Sequence, residues 1–280
     1  MADLITGNTQ LGPTKQDVIA AVVQKELAQN AILMPYVTDI SAFAVKGAKS
    51  ISIPKLSSFT VVNRASGAQG DASVLTAAVD TIQLSFNAYV AWIIDSMDEA
   101  QTTIQAQVAF AQRAAAALGR YVDTQILAVA DADAQLDVGV APITRDLVLD
   151  MRAQILGANG DLSQTVLVIG ADQEKEMLKI AEFTQAQVYG GAVIPNGVLG
   201  KVYGTPVVLH TGVAAGKAYF WEKSGICVGF QKNPAMSSQP ANEYGVGAMR
   251  NAMDQLFGVD SLQQGQAGAA VGKSPLIAKM

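Results

Sequence analysis

From Ile82 to Val129 the apolar residues change period, and that change restricts the possible folds more than any other feature. Ile82, Leu84, Phe86, Ala88, Val90, Trp92 and Ile94 occupy every second position over thirteen residues, the pattern of a strand with one apolar face. At ~3.4 Å per residue such a strand is roughly 40 Å long, well beyond the usual length of a strand. Met97, Ala100, Ile104, Val108, Ala111, Ala115, Leu118, Val122, Ile126 and Val129 then recur at steps of three or four, which is one stripe of a helix. Gln101, Gln105, Gln112, Arg113, Arg120 and Asp123 fall mostly off that stripe, and Ser96 or Asp98 supplies the N-cap. A helix from about Asp98 to Ala130 is ~50 Å long. Gly119 is its weak point, costing ~1 kcal/mol relative to Ala.

Upstream, Lys49-Ser50-Ile51-Ser52-Ile53 also alternates, and Pro54 restricts that stretch to an edge or an isolated ribbon. Between the two alternating stretches lies Arg64-Ala-Ser-Gly-Ala-Gln-Gly-Asp-Ala-Ser73, small, polar and rich in turn formers. Together they predict a long two-stranded ribbon with that tip. A lone ribbon is not stable in water, so something outside it must cover it. Before the ribbon, residues 1–14 carry Gly7, Gly12 and Pro13 without periodicity and read as a loose arm. Thr14 caps a helix from Lys15 to about Asn30, with Val18, Ala21, Val22 and Leu27 on one face. Leu33, Met34, Pro35 and Tyr36 then end it in an apolar patch. A short amphipathic helix on a loose leader is expected to dock on a neighbouring molecule.

Beyond Asp131 the pattern is mixed α and β. Thr144 caps a helix with Leu147, Met151 and Ile155 inward, ending at Gly157 or Gly160. Thr165–Ile169 reads as a buried strand, and Asp172 to about Phe183 as a charged amphipathic helix. Val202–Leu209 reads as a strand interrupted by Gly204 and Pro206. Ala218–Trp221 and Ile226–Phe230 predict a hairpin around Lys223-Ser-Gly225. Tyr244–Val259 reads as extended, and Gln263–Gly272 as a flexible or draped tail.

Composition argues against several classes of function. Half of the 280 residues are hydrophobic, 15% are charged and 6% are aromatic, the profile of a folded chain with a neutral surface. The net charge is -5, from 19 basic and 24 acidic residues with no basic cluster, so a groove for nucleic-acid phosphates is not expected. The lone Cys227 excludes an internal disulfide and suits a reducing compartment. Neither a secretory signal nor an apolar run of ~20 residues is present, and the chain reads as soluble and cytoplasmic. His210, the sole histidine, follows a buried strand with no nominated nucleophile or orienting carboxylate. Cys227 sits in the apolar run Ile-Cys-Val, where cysteine acts as a small hydrophobe. Asp131, Asp133 and Asp137 lack the twelve-residue calcium loop, and Gly190–Gly197 lacks a phosphate-binding signature. Trp92 and Trp221 read as packing anchors. No catalytic residue, metal ligand or cofactor is expected, and the chain reads as a non-enzyme.

The order of leader helix, ribbon, very long helix, α/β unit and returning extended segment resembles the major capsid proteins of tailed bacteriophages. Gly200-Lys-Val-Tyr-Gly-Thr-Pro-Val-Val208 is similar to a glycine-aromatic-glycine-x-proline-valine segment of that family. Val166–Ile169 with its helix, Ala218–Trp221, Ile93-Ile-Asp95 and Tyr121-Val-Asp123 resemble its flanking elements. The likeness spans roughly residues 15–262 and implies an α+β fold of the Hong Kong 97 type. Its parts are an N-terminal arm (1–38), an extended β-hairpin loop (39–95), a spine helix of the peripheral domain (96–135), an axial domain (136–235) and a return to the peripheral domain with a C-terminal tail (236–280). It implies hexamers and pentamers in an icosahedral shell that encloses double-stranded DNA without sequence-specific binding. It also implies assembly in the host cytoplasm with scaffolding, portal and possible decoration proteins, and no membrane. Because no long segment precedes the arm, scaffolding is expected from a separate protein. Lys46, Lys49 and Lys55 lie at the ribbon's base, which argues against the self-crosslinking of some members. The candidate inter-subunit contacts are Arg64, Gln69 and Asp71 at the ribbon tip, and Leu33 and Tyr36 after the arm helix. The alternatives are a nanocompartment shell protein of the same fold and, from another class, a cytoplasmic α/β enzyme.

Overall fold

Strand alternation and the long helical stripe both reappear as burial in the computed structural model, which describes residues 31–56, 77–94, 106–139, 141–180, 198–245, 247–262 and 272–280. The arm helix, the ribbon tip with Arg64, Gln69 and Asp71, the first turns of the long helix, the Gly190–Gly197 loop and most of the Gln263–Gly272 tail lie outside these residues. The described elements run β1 (Thr38–Asp39), β2 (Ser50–Leu56), β3 (Ala77–Gln83), β4 (Phe86–Ile94), α1 (Ala106–Asp133), β5 (Ala134–Asp137) and α2 (Arg145–Gly157). They continue with β6 (Thr165–Ile169), α3 (Ala171–Lys179), β7 (Val198–Val202), β8 (Thr205–Leu209), β9 (Ala218–Glu222), β10 (Ile226–Pro240), β11 (Met249–Ser261) and β12 (Ser274–Lys279).

These strands form a two-stranded ribbon (β2-β3), a four-stranded sheet (β1-β10-β11-β4) and a six-stranded sheet (β5-β12-β9-β6-β8-β7). The 28 residues of α1, about 42 Å long, bury Ala111, Ala115, Leu118, Val122, Ile126 and Ala130. That face packs against Met253, Phe257 and Val259 of the four-stranded sheet and against Val166, Val168, Trp221 and Ile277 of the six-stranded sheet. One helix therefore serves as the shared core of both sheets. The opposite face of the six-stranded sheet, including Leu167, Phe220 and Leu276, is covered by Val148, Met151 and Ile155 of α2 and Met177 of α3. β6 is buried along its whole length, as a strand covered on both faces must be. The Thr144 hydroxyl caps α2 by accepting the Leu147 N–H at 3.4 Å. No described helix is long and apolar enough to cross a membrane.

The structure departs from the sequence reading at four places. The thirteen-residue alternation is two strands separated at Leu84-Ser85: β3 pairs with β2, whereas β4 pairs with β11. Only the first belongs to the ribbon, so the four-stranded sheet already satisfies one edge of β4. Val202–Leu209 contains a hairpin rather than an interrupted strand; Tyr203 (φ 49°) and Gly204 (φ 83°) make the tight turn between β7 and β8. β9 and β10 form no hairpin, because β9 pairs with β6 and β12 while β10 pairs with β1 and β11. Lys223–Gly225 carries the chain from one sheet to the other. Last, β12, a stretch the sequence reading assigned to no strand, lies inside the six-stranded sheet between β5 and β9.

An interior β12 gives a stability prediction. Ile277 is fully buried, and Ile277→Ala should lower stability by about 2–5 kcal/mol in urea unfolding. A loss below about 1 kcal/mol would mean that β12 is peripheral to the core.

Candidate assembly surfaces and the junction behind them

Of the two candidate contact residues among the described ones, Leu33 is internal and Tyr36 is partly buried. Leu33 is completely buried within the core built on α1, so it anchors its own chain and presents no surface to a neighbour. Tyr36 is half-buried against the same core, and its carbonyl accepts the Trp221 indole N–H at 3.0 Å. The apolar patch after the arm therefore docks at home. Arg64, Gln69 and Asp71 lie outside the described residues.

What holds this docking is Asp123, assigned from periodicity to the solvent side but only 1% exposed. Its carboxylate accepts the backbone N–H groups of Ile32 (3.0 Å) and Leu33 (3.3 Å). The His210 ring lies against it, with Nε2 3.3 Å from Oδ2. His210 Nδ1 accepts the Gly212 N–H at 2.9 Å, so the neutral ring carries its proton on Nε2 and donates it to Asp123. Both ring nitrogens are committed to structural bonds. The carboxylate that sequence reasoning did not find for His210 is present, and it orients the ring within a packing junction. The signal available in the sequence was an acidic residue directly beside the stripe residue Val122.

A second polar cluster joins the end of α1 to the chain terminus. The Asp131 carboxylate receives Lys217 Nζ at 2.6 Å and Tyr219 Oη at 3.3 Å. Lys279 Nζ donates to the Asp131 carbonyl at 2.7 Å and pairs with Asp137 at 3.1 Å. Burial raises the Asp131 carboxyl, but the Lys217 hydrogen bond and the charges of Lys279 and Lys217 outweigh it and hold it below its usual 3.8. Burial opposes ionisation of Asp137 as well, yet Lys279 and the Gly139 N–H hold it below 3.8. Lys279 is pushed down by burial and, more strongly, up by Asp137 and Asp131, and ends above its usual 10.5. The Asp133 carboxylate accepts the Ser261 hydroxyl at 2.7 Å. These carboxylates thus have lysine and hydroxyl partners, and no group of three metal-ligating side chains converges among the described residues. The Cys227 thiol is buried and donates to the Asp260 carbonyl at 3.3 Å; burial pushes its pKa up to about 12, which leaves it a poor nucleophile.

Several large apolar residues are exposed among the described residues. Phe43 and Val45 are each 68% exposed just before the ribbon, and Val79 on the ribbon is 57% exposed. Tyr89 and Ile93 are exposed on β4, and Phe110 and Tyr121 on α1. On the α/β unit Leu156, Leu178 and Tyr203 are exposed. The ribbon buries Ile51 and Ile82 at its root, while Ser52, Pro54, Ala78, Val79, Thr81 and Gln83 face outward. Among the described residues these exposed side chains lie on and just before the ribbon, on β4, on α1 and on the α/β unit.

Two measurements test the polar junctions. Asp123→Ala removes the acceptor for two N–H groups and the partner of a buried histidine, and should cost about 3–5 kcal/mol in chemical unfolding. A cost below about 1 kcal/mol would contradict the junction. For the second cluster, the depressed carboxyls stabilise the fold above about pH 4 and that contribution fades as pH falls through their folded values. The raised lysine stabilises below about pH 10 and its contribution fades as pH rises through its folded value. The stability difference between wild type and Lys279→Ala should therefore be flat across roughly pH 5–9 and shrink on both sides; a difference that grows in acid would contradict this.

Comparison with known proteins agrees with this geometry. Residues 21–240 match a family model described as phage capsid protein. No match is found among curated protein sequences. Among solved structures, one from Mycobacterium phage Che8 superposes with a TM-score of 0.70 at 16% identity, covering 88% of this chain and 89% of that one. The mature capsid of bacteriophage PhiM1 superposes at 0.61 with 12% identity, covering 87% and 84%. A virus-like particle from Pyrococcus furiosus superposes at 0.61 with 8% identity, covering 95% and 99%. The long helix shared by two sheets, the projecting ribbon and the match over most of the sequence lead to one conclusion: the chain belongs to the phage capsid protein family and has the Hong Kong 97-type capsid fold.

Proposed function

We infer that the chain is the major capsid subunit of a tailed double-stranded DNA bacteriophage. Copies assemble in the host cytoplasm as hexamers and pentamers of an icosahedral head. The observation that carries this reading is the ribbon: it meets the body at its root and turns Val79 outward to solvent. Apolar surface of this kind suits burial by a neighbouring subunit, and repeated heterologous contacts of one type close into rings and shells. In the family's terms, the ribbon is the extended loop, α1 the spine helix, the four-stranded sheet the peripheral domain and the six-stranded sheet with α2 and α3 the axial domain. The net charge of -5 suits a wall that confines DNA without holding it. Scaffolding, portal and decoration proteins are the expected partners. The role is structural rather than catalytic, in keeping with a histidine engaged at both nitrogens and a buried thiol.

A second reading is a nanocompartment shell that encloses protein cargo. It is favoured by the nearly complete mutual coverage with the virus-like particle of Pyrococcus furiosus. The contents of purified particles, nucleic acid or enzyme, separate the two.

The test is deletion of residues 64–73. Negative-stain microscopy should show loss of closed particles, while circular dichroism shows the body still folded. Unchanged assembly without the tip would overturn the role given to the ribbon.

A further inference from the structure

The ribbon rests on the sheet at a pair of glycines. Gly229 of β10 and Gly258 of β11 are directly opposed in the antiparallel ladder, so both present hydrogen where side chains would stand on the same face. Neither has a positive φ; space, not backbone freedom, explains glycine here. A Cβ on Gly258 would lie 2.4 Å from the Gln83 carbonyl oxygen and 3.1 Å from Leu84 Cδ2. A Cβ on Gly229 would lie 3.1 Å from side-chain carbons of Ile40 and Ile51. Ile40, Ile51, Ile82, Leu84 and Cys227 form a small separate core over this floor. The ribbon's last residue in β3 thus passes backbone against backbone over β11. On the other side the Leu84 N–H bonds to the Lys49 carbonyl at 2.9 Å, and Gln231 holds the carbonyls of Val45 and Ala48 at 2.7 and 2.8 Å.

We propose that the Gly229–Gly258 pair is the seat that sets the ribbon's angle to the body, with Gly258 as the positioning residue, and so sets the geometry in which subunits meet. This rests on the shell reading above. A methyl at position 258 falls about 1 Å short of ordinary van der Waals contact with a backbone oxygen, which cannot rotate away as a side-chain end can. The root must lift. Seven-residue strands carry the ribbon roughly 24 Å from its root, so a tilt of a few degrees displaces the far end by ångströms. Position 229 differs because the three atoms nearest an added methyl are isoleucine side-chain carbons, which can give way.

The experiment compares full-length wild type, Gly229→Ala and Gly258→Ala by thermal unfolding and by electron microscopy of assembled particles. Gly258→Ala is expected to fold yet lose closed shells of wild-type diameter, giving irregular or differently sized products, while Gly229→Ala assembles as wild type does. If Gly258→Ala does not fold, Leu84→Ala takes its place, since it frees the same root without adding an atom, and the same loss of uniform diameter is expected. Uniform wild-type shells from Gly258→Ala, or from Leu84→Ala in its place, would overturn the seat and leave the shell reading intact. Absence of any assembly by wild type would overturn both.

Discussion

Asp123 is the carboxylate on which the packing of three separate parts converges. It sits on the face of α1 that both sheets share, and it binds the two N–H groups through which the N-terminal segment reaches the core. It also holds His210, which follows directly after β8 of the six-stranded sheet. A carboxylate that is 1% exposed is costly to bury unless its oxygens are satisfied, and here they are satisfied by groups from regions 87 to 91 residues away in sequence. That arrangement fixes Leu33 at the core and ties α1 to the segment after β8, beside the apolar packing of α1 on the six-stranded sheet. Lys217, Tyr219 and Lys279 repeat the device two turns further along α1, at Asp131.

This internal fastening ties the two sheets and the N-terminal segment to one helix. The body has two sheets sharing a helix as core. The ribbon has a small core of its own, seated on two glycines. In the proposed shell, such a division would let the body keep its packing while the proposed seat sets the ribbon's angle to it. The exposed apolar residues lie on the ribbon, on β4, on α1 and on the α/β unit.

Much of this was legible in the residues. Of the helical stripe, Ala111, Ala115, Leu118, Val122 and Ile126 are buried where periodicity placed them, and Val108 and Val129 are partly buried. Of the alternating set, Ile82, Leu84, Ala88 and Ile94 are buried, and Phe86, Val90 and Trp92 are partly buried. Partner choice did not follow. β3 and β4 carry one continuous alternation, and nothing in a period of two tells which strand lies alongside or where the chain bends at Leu84-Ser85. Ala218–Trp221 and Ile226–Phe230 looked like a hairpin because a short polar turn joins two apolar runs; their pairing was decided by β6 and β11, distant in sequence. Asp123 read as solvent-facing because its partners are two backbone N–H groups and a histidine, and backbone donors leave no mark on a sequence. For the same reason Leu33 read as a contact for a neighbour when it is an anchor at home.

The central claim is that this fold is made to be one of many in a closed wall. Its most direct measurement is the mass distribution of the purified wild-type protein in solution, by analytical ultracentrifugation across a range of concentrations. The account predicts rings or large closed particles growing at the expense of free subunit as concentration rises. A single compact monomer that persists at the highest concentration, with its ribbon ordered against its own body, would contradict it.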